Sequence, residues 1–105
     1  MVEKLETVEQ FNDLKKSSTV VFIFTADWCP DCHFIDPFMP EIQQTFNDFE
    51  FISVNRDQFI DVCAEHNIFG IPSFLVFKNG HEAGRYVSKD RKTKQEIEEF
   101  LKGIQ

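Results

Sequence analysis

The stretch TADWCPDCHF, Thr25 to Phe34, sets Cys29 and Cys32 two residues apart, directly behind Trp28. A Cys-x-x-Cys pair can hold a metal ion, staple a loop or exchange electrons, and its surroundings decide among these. Upstream lies STVVFIFTA, a continuous apolar, β-branched run that reads as a central strand buried on both faces. Downstream, Cys32, Ile35, Phe38, Met39, Ile42 and Phe46 recur at helical spacing, and Pro37 and Pro40 inside that pattern predict a kink. The pair therefore stands where a buried strand hands over to a helix. Cys29 falls near the N-cap, and Pro30 at the first helical position, where a missing N–H costs nothing. Free backbone N–H groups and the positive helix pole favour a thiolate there, and the thiolate is the attacking species. Cys32 lies on the same face one turn later, within reach for a disulfide. Cys29 is thus expected to be the exposed attacker and Cys32 the buried resolver. Asp31, in the first turn, either serves the helix alone or also tunes Cys29; His33 either is solvated or tunes the thiols by its charge.

Further out, Thr7 with Gln10 and Thr93 with Glu96 are capping-box pairs that open helices. The first helix shares Val8, Phe11 and Leu14 on one face, and the last buries Ile97, Phe100, Leu101 and Ile104. FEFISVNR reads as a second buried strand. DQFIDVCAEHN reads as a short helix with Asp57 as its N-cap. GIPSFLVFKNGHEAGRYVS is a hairpin turning at Asn79-Gly80, two positions that favour positive φ. KDRKTK, Lys89 to Lys94, reads as a solvated loop, with a partner-docking role as the alternative. The expected order is helix, strand, helix, strand, helix, strand, strand, helix, with a short strand before Thr7. This is an α/β chain whose sheet is partly parallel and partly antiparallel.

The 105 residues form one domain by length, residues 1–105, with 42% hydrophobic residues, 13 of them Phe. The formal net charge of −7 repels nucleic acid and anionic lipid, so neither is expected as a partner. No apolar run reaches transmembrane length. MVEKLETVEQ lacks the apolar core of a signal peptide, so a cytoplasmic location is expected, where thiols are kept reduced. An odd count of three cysteines does not suit a disulfide framework. Tetrahedral zinc needs four ligands, and beyond the pair only Cys63 and three scattered histidines remain. Redox exchange is thus favoured over metal binding. Cys63, on one face with Phe59 and His66, reads as an inert core residue, with a regulatory thiol as the alternative. His66 and His81 have no functional case.

Taken together, ADWCPDC, Pro37 five residues after the second cysteine, GIPSFLVFKNG and an amphipathic C-terminal helix resemble the thioredoxin family over essentially the whole chain. The resemblance implies a thioredoxin fold, a central mixed sheet of four to five strands flanked by four helices. It also implies a cis Pro72 beside the cysteine pair, and a groove of Trp28, Gly70, Ile71 and Pro72 in which a partner peptide pairs with the Ile71 backbone. The implied activity is reduction of protein disulfides through a Cys29/Cys32 dithiol, with Trp28, Pro30, Asp31, Gly70, Ile71 and Pro72 binding or tuning. No bound cofactor or metal is implied, a monomer is expected, and a thioredoxin reductase or similar enzyme would restore the dithiol. The alternatives are a binding or chaperone-like module without turnover, and a disulfide oxidant or isomerase. Three departures stand out. Pro30-Asp31 replaces the usual Gly-Pro; Ile23 and Ser53 stand where a buried aspartate and its lysine are common; and Arg56 and Lys89 make the groove edge cationic, which favours acidic partners.

Overall fold

The run around Phe22 becomes β2, Thr19–Thr25, the middle strand of a five-stranded sheet in the order β1-β3-β2-β4-β5. The computed structural model describes residues 2–105. β1 is Glu3–Lys4 and β3 is Glu50–Asn55; β3 runs parallel to both β1 and β2. β4, Ser73–Lys78, and β5, His81–Tyr86, form the hairpin and add the antiparallel half. Its turn uses Asn79 at φ 50° and Gly80 at φ 90°, the left-handed pair that the dipeptide predicts.

Central burial explains why β2 is apolar without alternation. Val20, Phe22 and Phe24 face one core with Phe11, Val54, Val62 and Leu75; Val21 and Ile23 face another with Ile35, Ile42, Phe74, Ile97 and Leu101. Phe11 and Phe22 stack with ring centroids 4.4 Å apart. Helices cover both faces: α1, Val8–Ser17; α2, Pro30–Ile35; α3, Met39–Thr45; α4, Ile60–Glu65; and α5, Lys94–Ile104. α2 and α3 are one helical arm broken by a 3-10 turn at Asp36–Phe38, as Pro37 and Pro40 require. The four helical segments expected are therefore present, the second in two pieces.

Both threonine caps form. At α5 the box is complete, Thr93 Oγ1 accepting the Glu96 N–H and the Glu96 carboxylate accepting the Thr93 N–H. At α1, Thr7 accepts the Gln10 N–H, but the Gln10 side chain turns to the Glu6 N–H. Asp57 is not the cap of α4. That helix starts later, after Phe59, and has no side-chain cap. Asn55 Oδ1 instead accepts the N–H groups of Asp57 and Gln58 at 2.9 and 3.0 Å, making the turn that leads into it. No helix of the described residues is long and apolar enough to cross a membrane.

Candidate active site at the start of helix α2

β2 ends at Thr25, and the chain turns through Ala26–Trp28 to Cys29, the N-cap of α2. Cys29 is extended at φ −94°, ψ 106°, and Pro30 follows in the first turn. The Cys32 N–H donates to Cys29 Sγ at 3.2 Å, so a backbone donor already points at the sulfur that would carry negative charge. Cys29 and Cys32 form a disulfide with their Cα atoms 5.3 Å apart. The contrast in burial is smaller than expected. Cys29 is 4% exposed and Cys32 2%, so Cys29 is not an exposed residue. What distinguishes it is access: Cys29 lines a surface groove, and Cys32 does not.

The groove is lined by Trp28, Pro30, Asp31, Gly70 and Ile71 of the expected residues, and by Arg56, Lys89 and Phe69. Ile71–Pro72 is cis, and Pro72 is buried directly behind the groove-lining Ile71. Phe69, unremarked in the sequence, is 66% exposed, and Trp28 is 59% exposed. Two apolar rings thus stand in water at one groove. Trp28 is nevertheless held: its Nε1 donates to Asp57 Oδ2 at 2.8 Å, and the Arg56 guanidinium lies over its ring at 5.8 Å. Gly70 is required by contact. A Cβ there would meet the Ser88 carbonyl oxygen at 2.5 Å and the Lys89 nitrogen at 2.7 Å.

A family model named Thioredoxin matches residues 2–103. The chain belongs to the thioredoxin family. It is 31% identical to the mitochondrial thioredoxin-2 of Schizosaccharomyces pombe over 89% of this chain and 73% of that protein. It is 32% identical to the thioredoxin of Oryctolagus cuniculus over 96% of this chain and 100% of that protein. In fold it is similar to the thioredoxin of Trypanosoma brucei brucei, with a TM-score of 0.88 over 99% of this chain and 90% of that one, at 24% identity. With the Cys29–Cys32 pair in place, this thioredoxin relative is a thiol–disulfide oxidoreductase that reduces protein disulfides.

Within this thioredoxin-like frame, the structure joins residues that the sequence left apart. Ile23 and Ser53 are direct neighbours in the β2–β3 register, so the carboxylate and its lysine are missing together, from one place. Among the described residues the buried polar side chains are Ser73 and Lys92, neither a carboxylate. The Ser73 hydroxyl donates to the Gly70 carbonyl. His33 is exposed but not free: Nε2 donates to the Asp27 carbonyl at 2.6 Å and Nδ1 to Asp36 at 3.3 Å. Two acceptors, the Asp27 carbonyl foremost, raise the His33 pKa. Burial pushes the Cys63 thiol up, which suits an inert core cysteine. The Lys89–Lys94 run is exposed at Lys89, Asp90, Arg91 and Thr93, as expected of a solvated loop, with Lys92 the exception. Lys92 is 0% exposed, and Arg91 reaches Asp31 at 2.9 Å.

Proposed function

We propose that the chain works as a single monomeric domain in the cytosol, reducing disulfides of a restricted set of acidic proteins, without binding nucleic acid or membrane. The observation that carries this reading is the placement of Cys29. It sits at a helix start, receives a backbone N–H, and opens onto a groove with apolar walls and a cationic edge. The Ile71 N–H and carbonyl make no hydrogen bond among the described residues, which leaves them for a partner strand. A net charge of −7 disfavours polyanions. A dithiol that must be recharged suits a reducing compartment.

Reaction begins with the Cys29 thiolate attacking one sulfur of the partner disulfide. A Cys29–partner bond forms, the partner S–S bond breaks, and the other partner sulfur leaves as a thiolate. Cys32 then gives up its proton and attacks Cys29 Sγ, which releases the second partner sulfur and closes the Cys29–Cys32 disulfide. Two electrons and the one proton of Cys32 pass to the partner, and solvent supplies the proton of its second thiol. With no buried carboxylate among the described residues to take the Cys32 proton, the first partner thiolate is the base at hand. A flavoprotein reductase of the thioredoxin reductase kind then restores the dithiol.

Cys32→Ser, which removes the resolving thiol, is expected to accumulate mixed disulfides through Cys29 in extracts, and Cys29→Ser to trap few. Equal trapping by the two variants would reverse or void the assigned roles. Direction is tested by equilibration with glutathione. A potential near that of thioredoxin, about −270 mV, marks a reductant, and one near that of protein disulfide isomerase, about −180 mV, an oxidant or isomerase.

A further inference from the structure

The loop between β5 and α5 is locked in two places. Lys92, fully buried, donates from Nζ to the Ser88 carbonyl, the Ser88 hydroxyl and the Asp90 carbonyl at 3.3, 2.9 and 2.9 Å. Its ammonium also lies over the Tyr86 ring at 5.1 Å. The backbone at Ser88 and Lys89 packs against Gly70, where a side chain has no room. Held so, the loop sets Arg91 on the reactive helix. Arg91 Nε donates to Asp31 Oδ1 at 2.9 Å, and its guanidinium stacks over Phe34 at 4.2 Å. Asp31 lies between the two cysteines in sequence and lines the same groove as Cys29.

The charged groups lining that groove with Cys29 are Asp31 from its own helix and Arg56 and Lys89 from across it. Arg56 is shared with Asp57 at 3.6 Å. A carboxylate in the insert of the pair opposes a thiolate on Cys29 by like-charge repulsion. A guanidinium in contact with that carboxylate turns a monopole into a dipole, whose effect falls off faster with distance. The stack on Phe34 fixes the guanidinium plane in a way a lysine would not reproduce.

We propose that Arg91 is a positioning residue for the reactive pair: its ion pair with Asp31 cancels a carboxylate that would otherwise oppose the Cys29 thiolate, and so sets how readily the disulfide is reduced. The proposal rests on Cys29 being the attacking sulfur. In the equilibrium concerned, the protein disulfide and two glutathione thiols give the protein dithiol and glutathione disulfide, so two electrons pass with their protons. Greater ionisation of Cys29 draws it toward the dithiol.

The test compares Arg91→Gln, Asp31→Asn and the double variant. Cys29 ionisation is read from thiolate absorbance against pH in a Cys32→Ser background, and the glutathione equilibrium in chains with both cysteines. Arg91→Gln is expected to make Cys29 about threefold less acidic and to shift the equilibrium about threefold toward the disulfide, a size limited by solvent screening. In the Asp31→Asn background the same substitution should move both by less than half as much. Arg91→Lys should restore part of the effect. Shifts of equal size in both backgrounds, or none in either, overturn the proposal, as does a lower denaturation midpoint with unmoved Cys29 ionisation. Failure of trapping through Cys29 overturns the functional reading instead, so the two are told apart.

Discussion

Ile23 shows what one residue decides. Its side chain is buried among Val21, Ile35, Met39 and Phe74, and its neighbour in β3 is Ser53 rather than a lysine. A carboxylate placed there would be desolvated with no cation beside it. We therefore predict that Ile23→Asp lowers stability by about 3 kcal/mol at neutral pH, with partial recovery as acid neutralises the new group. Urea denaturation at two pH values checks this, and a higher midpoint in the variant would contradict it. Asp31 teaches the opposite lesson. In the sequence it stands as a lone charge beside Cys29, but the structure gives it Arg91 at 2.9 Å, so Asp31→Asn removes half of a pair rather than a bare charge.

At the scale of elements, the start of α5 and the strand β5 each carry a titrating carboxylate. The Glu96 carboxylate is held below its ordinary value, first by the Thr93 N–H and then by the Thr93 hydroxyl. Glu82 is held low, first by its hydrogen bond from Arg85. A carboxylate with a depressed folded-state value contributes stability that is present above its unfolded value, about 4.3, and is lost as pH falls through the folded one. Acid unfolding of the wild-type protein should therefore steepen below that point. Glu96→Gln keeps an acceptor at the third helical position and should flatten the acid limb, measured as denaturation midpoint against pH. An acid limb as steep as before would show that other carboxylates dominate. The loop before α5 meets the one before β4 at Gly70, where a Cβ would press on backbone atoms of Ser88 and Lys89. Gly70→Ala should cost about 1–3 kcal/mol in chemical denaturation and slow disulfide reduction, because Lys89 and the groove wall must shift together.

Over the whole molecule, a −7 chain presents Arg56 and Lys89 at the groove that reaches its reactive sulfur. Lys89 has no ion-pair partner among the described residues. Lys89→Glu should lower kcat/KM for a cystine peptide flanked by glutamates about five- to tenfold at low salt, and raise it for a lysine-flanked peptide. The gap should close as ionic strength rises toward about 0.5 M, and a salt-independent gap would refute steering by charge. Much of this architecture was legible in the chain. The unbroken apolar run of β2, the threonine caps, the Asn79-Gly80 turn, the proline break and the spacing of Cys29 and Cys32 all speak through near neighbours. Their physics is complete within a few residues, so sequence alone determined the order of elements, the hairpin and the place of the reactive pair. Asp57 was misread because Ser, Asn and Asp near a helix start all look like caps, and only the fold shows Asn55 taking the turn while Asp57 holds Trp28. Lys92 was misread because an ammonium in water and one satisfied by three oxygens are spelled alike. What the tertiary structure alone decided are the meetings of residues far apart in the chain: Trp28 with Asp57, Gly70 with Ser88, and Asp31 with Arg91. Such contacts are set by how the packed helices and strands bring loops together, and no local pattern encodes which charge will face which.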